Sequence, residues 1–405
     1  MSFLLDLSPL KKSRDYTLLY LGQFISLLGS MITSVALPWQ VYQLTHSSLV
    51  VGLLSLVQLV PLLFTALLGG VFADRHNRRV LVILSELLLM IGCGVLIWNA
   101  YQPLPNLVII FVISAVMSAI VGLHRPAFEG MTQQLVRPEN YKSVGALASF
   151  KFSICMIVGP AIGGMLIAKY GIALTYCIDL GTFLLSLLML GFMKPLKTVA
   201  PLQTSSVFRS LHEGLGFAIG RQELLGSYLV DFIAMIFAIP NALFPAIAHS
   251  LGGAKTLGLL YAAPAVGSLV ISFFSGWTDR CRYDGRAIAI AATLWGFVMI
   301  GFGLSTQVTM ALFFLMLSGA FDAVSGIFRS TLWNHVIPHN FRGRLAGIEM
   351  ISYLGGPRLG DLRAGIVATG FGISTAIISG GLLCIVGVAV CCLLMPKYWN
   401  YETTP

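Results

Sequence analysis

Charge is what this chain has least of. Of 405 residues, 10% are Asp, Glu, Lys or Arg, against 57% hydrophobic, where a soluble domain carries roughly 25% charged residues. So few charges cannot cover a water-facing surface, which excludes a soluble enzyme, a disordered scaffold and a secreted disulfide protein. The seven cysteines form no CxxC pair, and six of them lie in apolar runs, so they read as small packing hydrophobes rather than disulfides or metal ligands. There is no Walker sequence and no metal-ligand spacing, which argues against an ATP-driven pump and leaves no cofactor to expect. A cleavable leader is missing too. Met1 to Arg14 holds Asp6, Pro9, Lys11, Lys12 and Arg14 in place of a clean apolar core, and reads as a short amphipathic segment on the cytoplasmic membrane surface.

What is present is a series of long apolar runs, at about 16–43, 50–73, 80–100, 106–128, 142–168, 173–193, 224–247, 256–278, 287–305, 308–330, 345–369 and 373–395. Each is near the ~20 residues that an α-helix needs to cross a bilayer. All backbone polar groups must be satisfied internally in lipid, and the runs are too long for barrel strands, so the expected class is an all-α polytopic membrane protein with 12 transmembrane helices.

The net charge of +9, from 25 Lys and Arg against 16 Asp and Glu, is then tested as topology. With the N-terminus inside, 18 of the basic residues fall in cytoplasmic segments, and Lys169 and Lys255 alone face the other side. Arg125, Lys151, Arg329, Arg358 and Arg363 remain within spans. By the positive-inside rule both termini are cytoplasmic. The basic excess orients the chain and implies no nucleic acid.

The longest polar stretch, 194–223, separates an N-terminal six-helix half (1–193) from a C-terminal one (224–405). Three matches suggest that the halves are repeats. Gly122–Arg125 recurs as Gly326–Arg329, Val136–Asn140 as Val336–Asn340, and Gly159-Pro160 as Gly356-Pro357. Such repeats put a substrate path between halves near the bilayer midplane.

Ionisable groups within spans cost several kcal/mol unless paired or hydrated, so each is a functional candidate. In span ten Ser318, Asp322, Ser325 and Arg329 share one helical face; in span four the corresponding residues are Ser114, Ser118, Val121 and Arg125. Span seven adds Asp231 and Asn241, and span one adds Gln23, Ser26, Ser30 and Ser34. Reversible protonation needs a carboxyl group in low dielectric. Asp322 is the first candidate to carry a coupling proton, Asp231 the second and Asp179 the third. The alternative is structural: Asp322 and Arg329 locked into helix packing, with partners on other helices favoured by their seven-residue spacing. Arg125 and Arg329 would suit an anionic or catecholate substrate group. Span eleven carries Glu349, Arg358, Asp361 and Arg363, read first as a structural cluster.

After span two comes Gly69-Gly70-Val71-Phe72-Ala73-Asp74-Arg75-His76-Asn77-Arg78-Arg79, and after span eight Ser275-Gly276-Trp277-Thr278-Asp279-Arg280. These resemble the repeated loop motif of the major facilitator superfamily, with Asn77 where that family has Gly. Asn tolerates left-handed backbone, so the turn is expected to survive. The resemblance implies a gating role for Gly70, Asp74, Arg75, Arg78, Arg79, Asp279 and Arg280, with Arg344 and Lys142 as partners of the two carboxylates; ordinary anchoring at headgroups is the alternative. In span five, Gly159-Pro160-Ala161-Ile162-Gly163-Gly164 resembles in part the motif of proton-coupled exporters, although small-residue packing would also account for Gly159, Pro160, Gly163 and Gly164. Stretches such as Gly22–Gly29 and Asp322–Arg329 look like the drug:proton antiporter branch, which includes a siderophore exporter.

That resemblance spans the chain. It implies a major facilitator fold in two pseudo-symmetric halves, with spans one, four, seven and ten lining a cavity. It further implies an inner-membrane secondary transporter that exports a small amphipathic molecule, foremost a siderophore, by proton antiport and alternating access. A periplasmic or outer-membrane export partner would fit. The alternatives are a broad drug or macrolide efflux pump, an iron–siderophore uptake carrier, and a membrane-embedded enzyme, for which His335 and His339 beside Asn334 and Asn340 are the only hint.

Overall fold

Helix is the only regular element among the described residues of the computed structural model, which are 6–195, 207–338 and 341–402. The side chains of Val71, Asp74, 207–211, Asp279, Arg280, 342–344 and Ala346 lie outside the description, as do His339 and Asn340 altogether. The helices are α1 (Ser8–Lys12), α2 (Arg14–Thr45), α3 (Ser48–Arg75), α4 (Arg78–Ala100), α5 (Leu107–Leu135), α6 (Tyr141–Gly191), α7 (Val207–Ile219), α8 (Gln222–Phe237), α9 (Phe244–Leu251), α10 (Ala254–Phe273), α11 (Asp284–Gly303), α12 (Val308–Val336), α13 (Arg342–Phe371), α14 (Ile373–Leu394) and α15 (Pro396–Trp399).

Ten stretches are long and apolar enough to cross a membrane. Two features reconcile this with the twelve spans expected. Within α6, Gly171 adopts φ +83°, a conformation open to glycine, and divides one continuous stretch into two helical legs. The 30-residue α13 is long enough to span, but its buried charges dilute its apolarity. Conversely, one span is broken: α8 and α9 are separated at Pro240 by a single 3-10 turn, Asn241–Leu243. The amphipathic α1 forms where expected, with Pro9 buried and Lys11 and Lys12 in its last turn.

The chain divides into two units, 1–44 with 57–204, and 45–56 with 205–405. The sequence repeat reappears as a repeated contact within them. In the first unit α6 crosses α2 so closely that a Cβ on Gly159 would meet the Met31 side chain, and one on Gly163 would lie 3.1 Å from the Ile32 carbonyl. In the second, a Cβ on Gly356 would meet the Met235 side chain at 2.5 Å, and one on Gly360 the Ile236 carbonyl at 2.7 Å. Glycine at these four places lets two backbones touch. The contact occurs once in each half, with the glycines of the exporter-like segment in span five at the crossing. All seven cysteines are unpaired, four of them buried.

Candidate functional site

In the second unit, three helices converge on one carboxylate, that of Asp231. Arg329 of α12, 12% exposed, contacts the carboxylate of Asp231 on α8, which is 3% exposed. The Ser352 hydroxyl of α13 donates to the other oxygen of Asp231 at 3.0 Å. Arg329 also stands 4.0 Å from Asp322, whose side chain is 39% exposed. The seven-residue spacing within α12 is thus bridged at the limit of reach, and the tight partner is on another helix. Two carboxylates share one cation, so the trio is neutral only when one more proton is bound. On the same face Ser318 and Ser325 are buried, Ser318 donating to the Leu315 carbonyl at 2.7 Å.

The break between α8 and α9 accounts for two of the charges of α13, Asp361 and Arg363. A broken helix in lipid exposes backbone groups that need partners. Asp361 supplies the acceptor, taking the Ala242 N–H at 2.8 Å and the Ser55 hydroxyl at 2.7 Å. Arg363 supplies the donor, to the Phe237 carbonyl at 3.4 Å and the Ala376 carbonyl at 3.3 Å. Asn241 opens the 3-10 turn itself, and its carbonyl accepts from the Tyr261 hydroxyl at 3.2 Å.

In the first unit, the inner face of α2 carries a polar ladder. Gln23 and Ser26 donate to Glu86 of α4, Thr33 to Asp179 of α6, and Gln40 accepts from Tyr176. Asp179, 1% exposed, also takes the Thr182 hydroxyl at 3.2 Å. It therefore has hydroxyl donors and no salt-bridge cation among the described residues. Glu86 was not among the residues the sequence reading singled out. It is the only charged residue between Arg79 and Arg125, which was the available signal. Lys151, also buried, places its ammonium over the rings of Phe128 (4.9 Å) and Tyr20 (5.4 Å).

The repeated loop is described in part. Asn77 has φ −65° and caps α4, its side chain accepting the backbone N–H of Arg79 and Val80. A left-handed turn is thus not what Asn provides here; its carboxamide oxygen satisfies N–H groups that a Gly would leave bare. Arg78 donates to the Gly130 carbonyl at 3.0 Å and Arg79 to the Leu190 carbonyl at 2.8 Å. Arg79 thereby binds the C-terminal end of α6, where the helix dipole favours a cation, and Arg78 a carbonyl further inside α5. Arg75 is exposed, and Gly70 has nothing within 4 Å of a would-be Cβ. It is Gly69 that closes on Gly122 of α5, with a would-be Cβ 2.8 Å from its carbonyl. The side chains of Asp74, Asp279, Arg280 and Arg344 lie outside the described residues.

The remaining candidates scatter. Arg125 is 56% exposed and pairs with Glu129 at 3.1 Å, unlike its repeat counterpart Arg329. Ser118 is buried, Ser30 half-buried, and Ser34 exposed with its hydroxyl on the Met31 carbonyl. Gln23 is committed to Glu86.

Long apolar helices, a broken span with its ends capped from a neighbour, and charges clustered within those helices describe a multi-span membrane protein, and the family to which it belongs makes it a transporter. Over residues 5–404 the chain matches the major facilitator family described as transmembrane secretion effector, and it belongs to that family. It is 30% identical to the enterobactin exporter EntS of Shigella boydii serotype 4, over 100% of this chain and 97% of the relative. To EntS of Escherichia coli K12 it is 29% identical over the same shares. Among solved structures, a POT family transporter in complex with 5-aminolevulinic acid superposes with TM-score 0.74 at 14% identity, covering 95% of this chain and 97% of that one. A bacterial homologue of the iron transporter ferroportin, inward-facing, gives TM-score 0.70 at 16% identity over 96% and 99%. These establish the major facilitator fold.

Proposed function

We propose that this chain sits in the inner membrane with both termini cytoplasmic and exports a catechol-bearing siderophore of the enterobactin class, by proton antiport and alternating access. Similarity to enterobactin exporters along the whole chain supports the substrate class. The 18-to-2 distribution of basic residues supports the orientation. Coupling rests on one observation, the Asp231–Arg329–Asp322 trio with two carboxylates to one cation.

The chemistry follows from that imbalance. With Asp322 protonated, the Asp231–Arg329 pair is neutral and closed on itself. When Asp322 loses its proton it becomes an acceptor, and a catechol hydroxyl can donate to it. Proton and substrate thus compete for one carboxylate, which is the requirement for antiport. Asp231, and after it Asp179, are the alternative candidates for the coupling carboxylate. Asp74 and Asp279 are assigned to the cytoplasmic gate on motif similarity, and delivery to a periplasmic or outer-membrane partner completes the route.

The test uses inside-out membrane vesicles with enterobactin as probe. Acidifying the lumen should drive uptake, and a protonophore should abolish it. Uptake of a macrolide or dye with enterobactin ignored would replace this reading with a drug pump.

A further inference from the structure

We infer that Glu86 and His124 form a one-proton binding site inside the first unit, separate from the Asp231–Arg329–Asp322 trio. Glu86 of α4 is 1% exposed. It receives the Gln23 amide at 2.5 Å and the Ser26 hydroxyl at 3.2 Å on each oxygen, both from α2. His124 of α5 brings Nε2 to 3.5 Å from the same carboxylate oxygen.

The groups facing Glu86 from its neighbours show why a proton is needed. From α2 come Gln23 and Ser26, both neutral. From α5 comes His124. On α6, Asp179 is a second carboxylate, held to the same helix α2 by the Thr33 hydroxyl. Lys151 of α6 is held over the Phe128 ring at 4.9 Å, and Phe128 stacks on His124 with centroids 6.0 Å apart. No Lys or Arg forms a salt bridge with Glu86 among the described residues. A bare carboxylate at this depth costs several kcal/mol. The cluster becomes neutral by binding one proton, either on Glu86 or on His124 beside an ionised Glu86.

The geometry supports both placements. His124 Nε2 lies 3.5 Å from the Glu86 carboxylate and 3.5 Å from the Gln23 amide. Protonated, that nitrogen donates to Glu86; unprotonated, it accepts from Gln23. His124 is 14% exposed where Glu86 is 1%, so of the two groups the imidazole is the less buried. As a coupling element the pair rests on the antiport reading above. As a proton site it stands alone, and the experiment reads the proton itself.

Full-length protein reconstituted in liposomes, without substrate, is examined by pH-difference infrared spectroscopy. The wild type should show a protonated-carboxyl or imidazolium band on acidification that Glu86→Gln removes and Asp322→Asn retains. Gln23→Ala, which deletes one donor and keeps the acid, should shift that band. Superimposable wild-type and Glu86→Gln spectra would overturn the proposal. So would an unshifted band in folded Gln23→Ala, the deciding variant should Glu86→Gln fail to fold. If wild-type enterobactin transport ignored a pH gradient, the antiport reading would fall while this spectrum persisted.

Discussion

Among the described residues, the charges of Asp231, Arg329, Asp361, Arg363, Glu86 and Asp179 meet three kinds of partner, and each predicts a different response to mutation. Asp231 and Arg329 meet each other. Asp361 and Arg363 meet the cut ends of a broken span, one accepting from Ala242 and the other donating to Phe237. Among the described residues, Glu86 and Asp179 meet hydroxyl, amide, thiol and imidazole groups and form no salt bridge with Lys or Arg. Removing a cap strands a buried backbone N–H, at a cost of about 1–3 kcal/mol. Asp361→Ala should therefore lower stability by about that amount in thermal denaturation of the solubilised protein, with Asp361→Asn, which keeps an acceptor oxygen, falling between. An Asp361→Ala variant as stable as wild type would remove the capping role. At this scale the sequence was informative about which residues matter and poor on their partners. Asp231, Asp322 and Arg329 were legible as costly charges in apolar runs. That Arg329 grips Asp231 from another helix depends on packing that no spacing along α12 encodes.

Among the elements, the two helix crossings were half-legible. Gly159-Pro160 and Gly356-Pro357 could be matched by eye; that they seat against Met31 and Met235 could not, because contacts across helices leave no periodic trace. A Cβ at Gly360 would stand 2.7 Å from a backbone oxygen, against 3.1 Å at Gly163. Overpacking of this kind costs about 1–3 kcal/mol. Gly360→Ala should be the more destabilising of the two in thermal unfolding, and the reverse order would argue against backbone contact as the reason for glycine. The amphipathic α1 is tied down by Asp6, which accepts the Ser143 hydroxyl at 2.7 Å and the Ser8 N–H at 2.9 Å. The Ser143 bond, then those from Ser8, hold the carboxyl below its ordinary value. Because the folded-state value is depressed, the tether is fully present above the ordinary value of 3.8 and is lost as pH falls through the lower folded one. Protease cleavage near Arg14 should thus be unchanged between about pH 8 and 5 and rise only in stronger acid. Asp6→Asn should raise it throughout; cleavage insensitive to that change would leave α1 docked by other contacts.

For the molecule as a whole, composition and span length carried the class; the family was legible only as a resemblance in the loop motifs after spans two and eight, and is shown by the match over residues 5–404. Twelve spans were legible from apolar runs because the bilayer imposes a length on each. The break at Pro240 and the fused stretch around Gly171 were not, since both depend on a few backbone angles inside otherwise continuous runs. Orientation is a whole-chain property and has its own check. Single cysteines replacing Lys169 or Lys255, in a background without the native cysteines, should react with a membrane-impermeant maleimide in intact cells. Cysteines replacing Arg137 or Arg221 should not, and the opposite pattern would invert the topology.

The central claim is that a proton and the substrate compete at Asp322, and it is tested most directly by Asp322→Asn reconstituted in proteoliposomes with enterobactin. Exchange of labelled for unlabelled substrate without a pH gradient should continue, while stimulation by the gradient should vanish. A variant that still responds to the pH gradient as fully as the wild type would contradict the account.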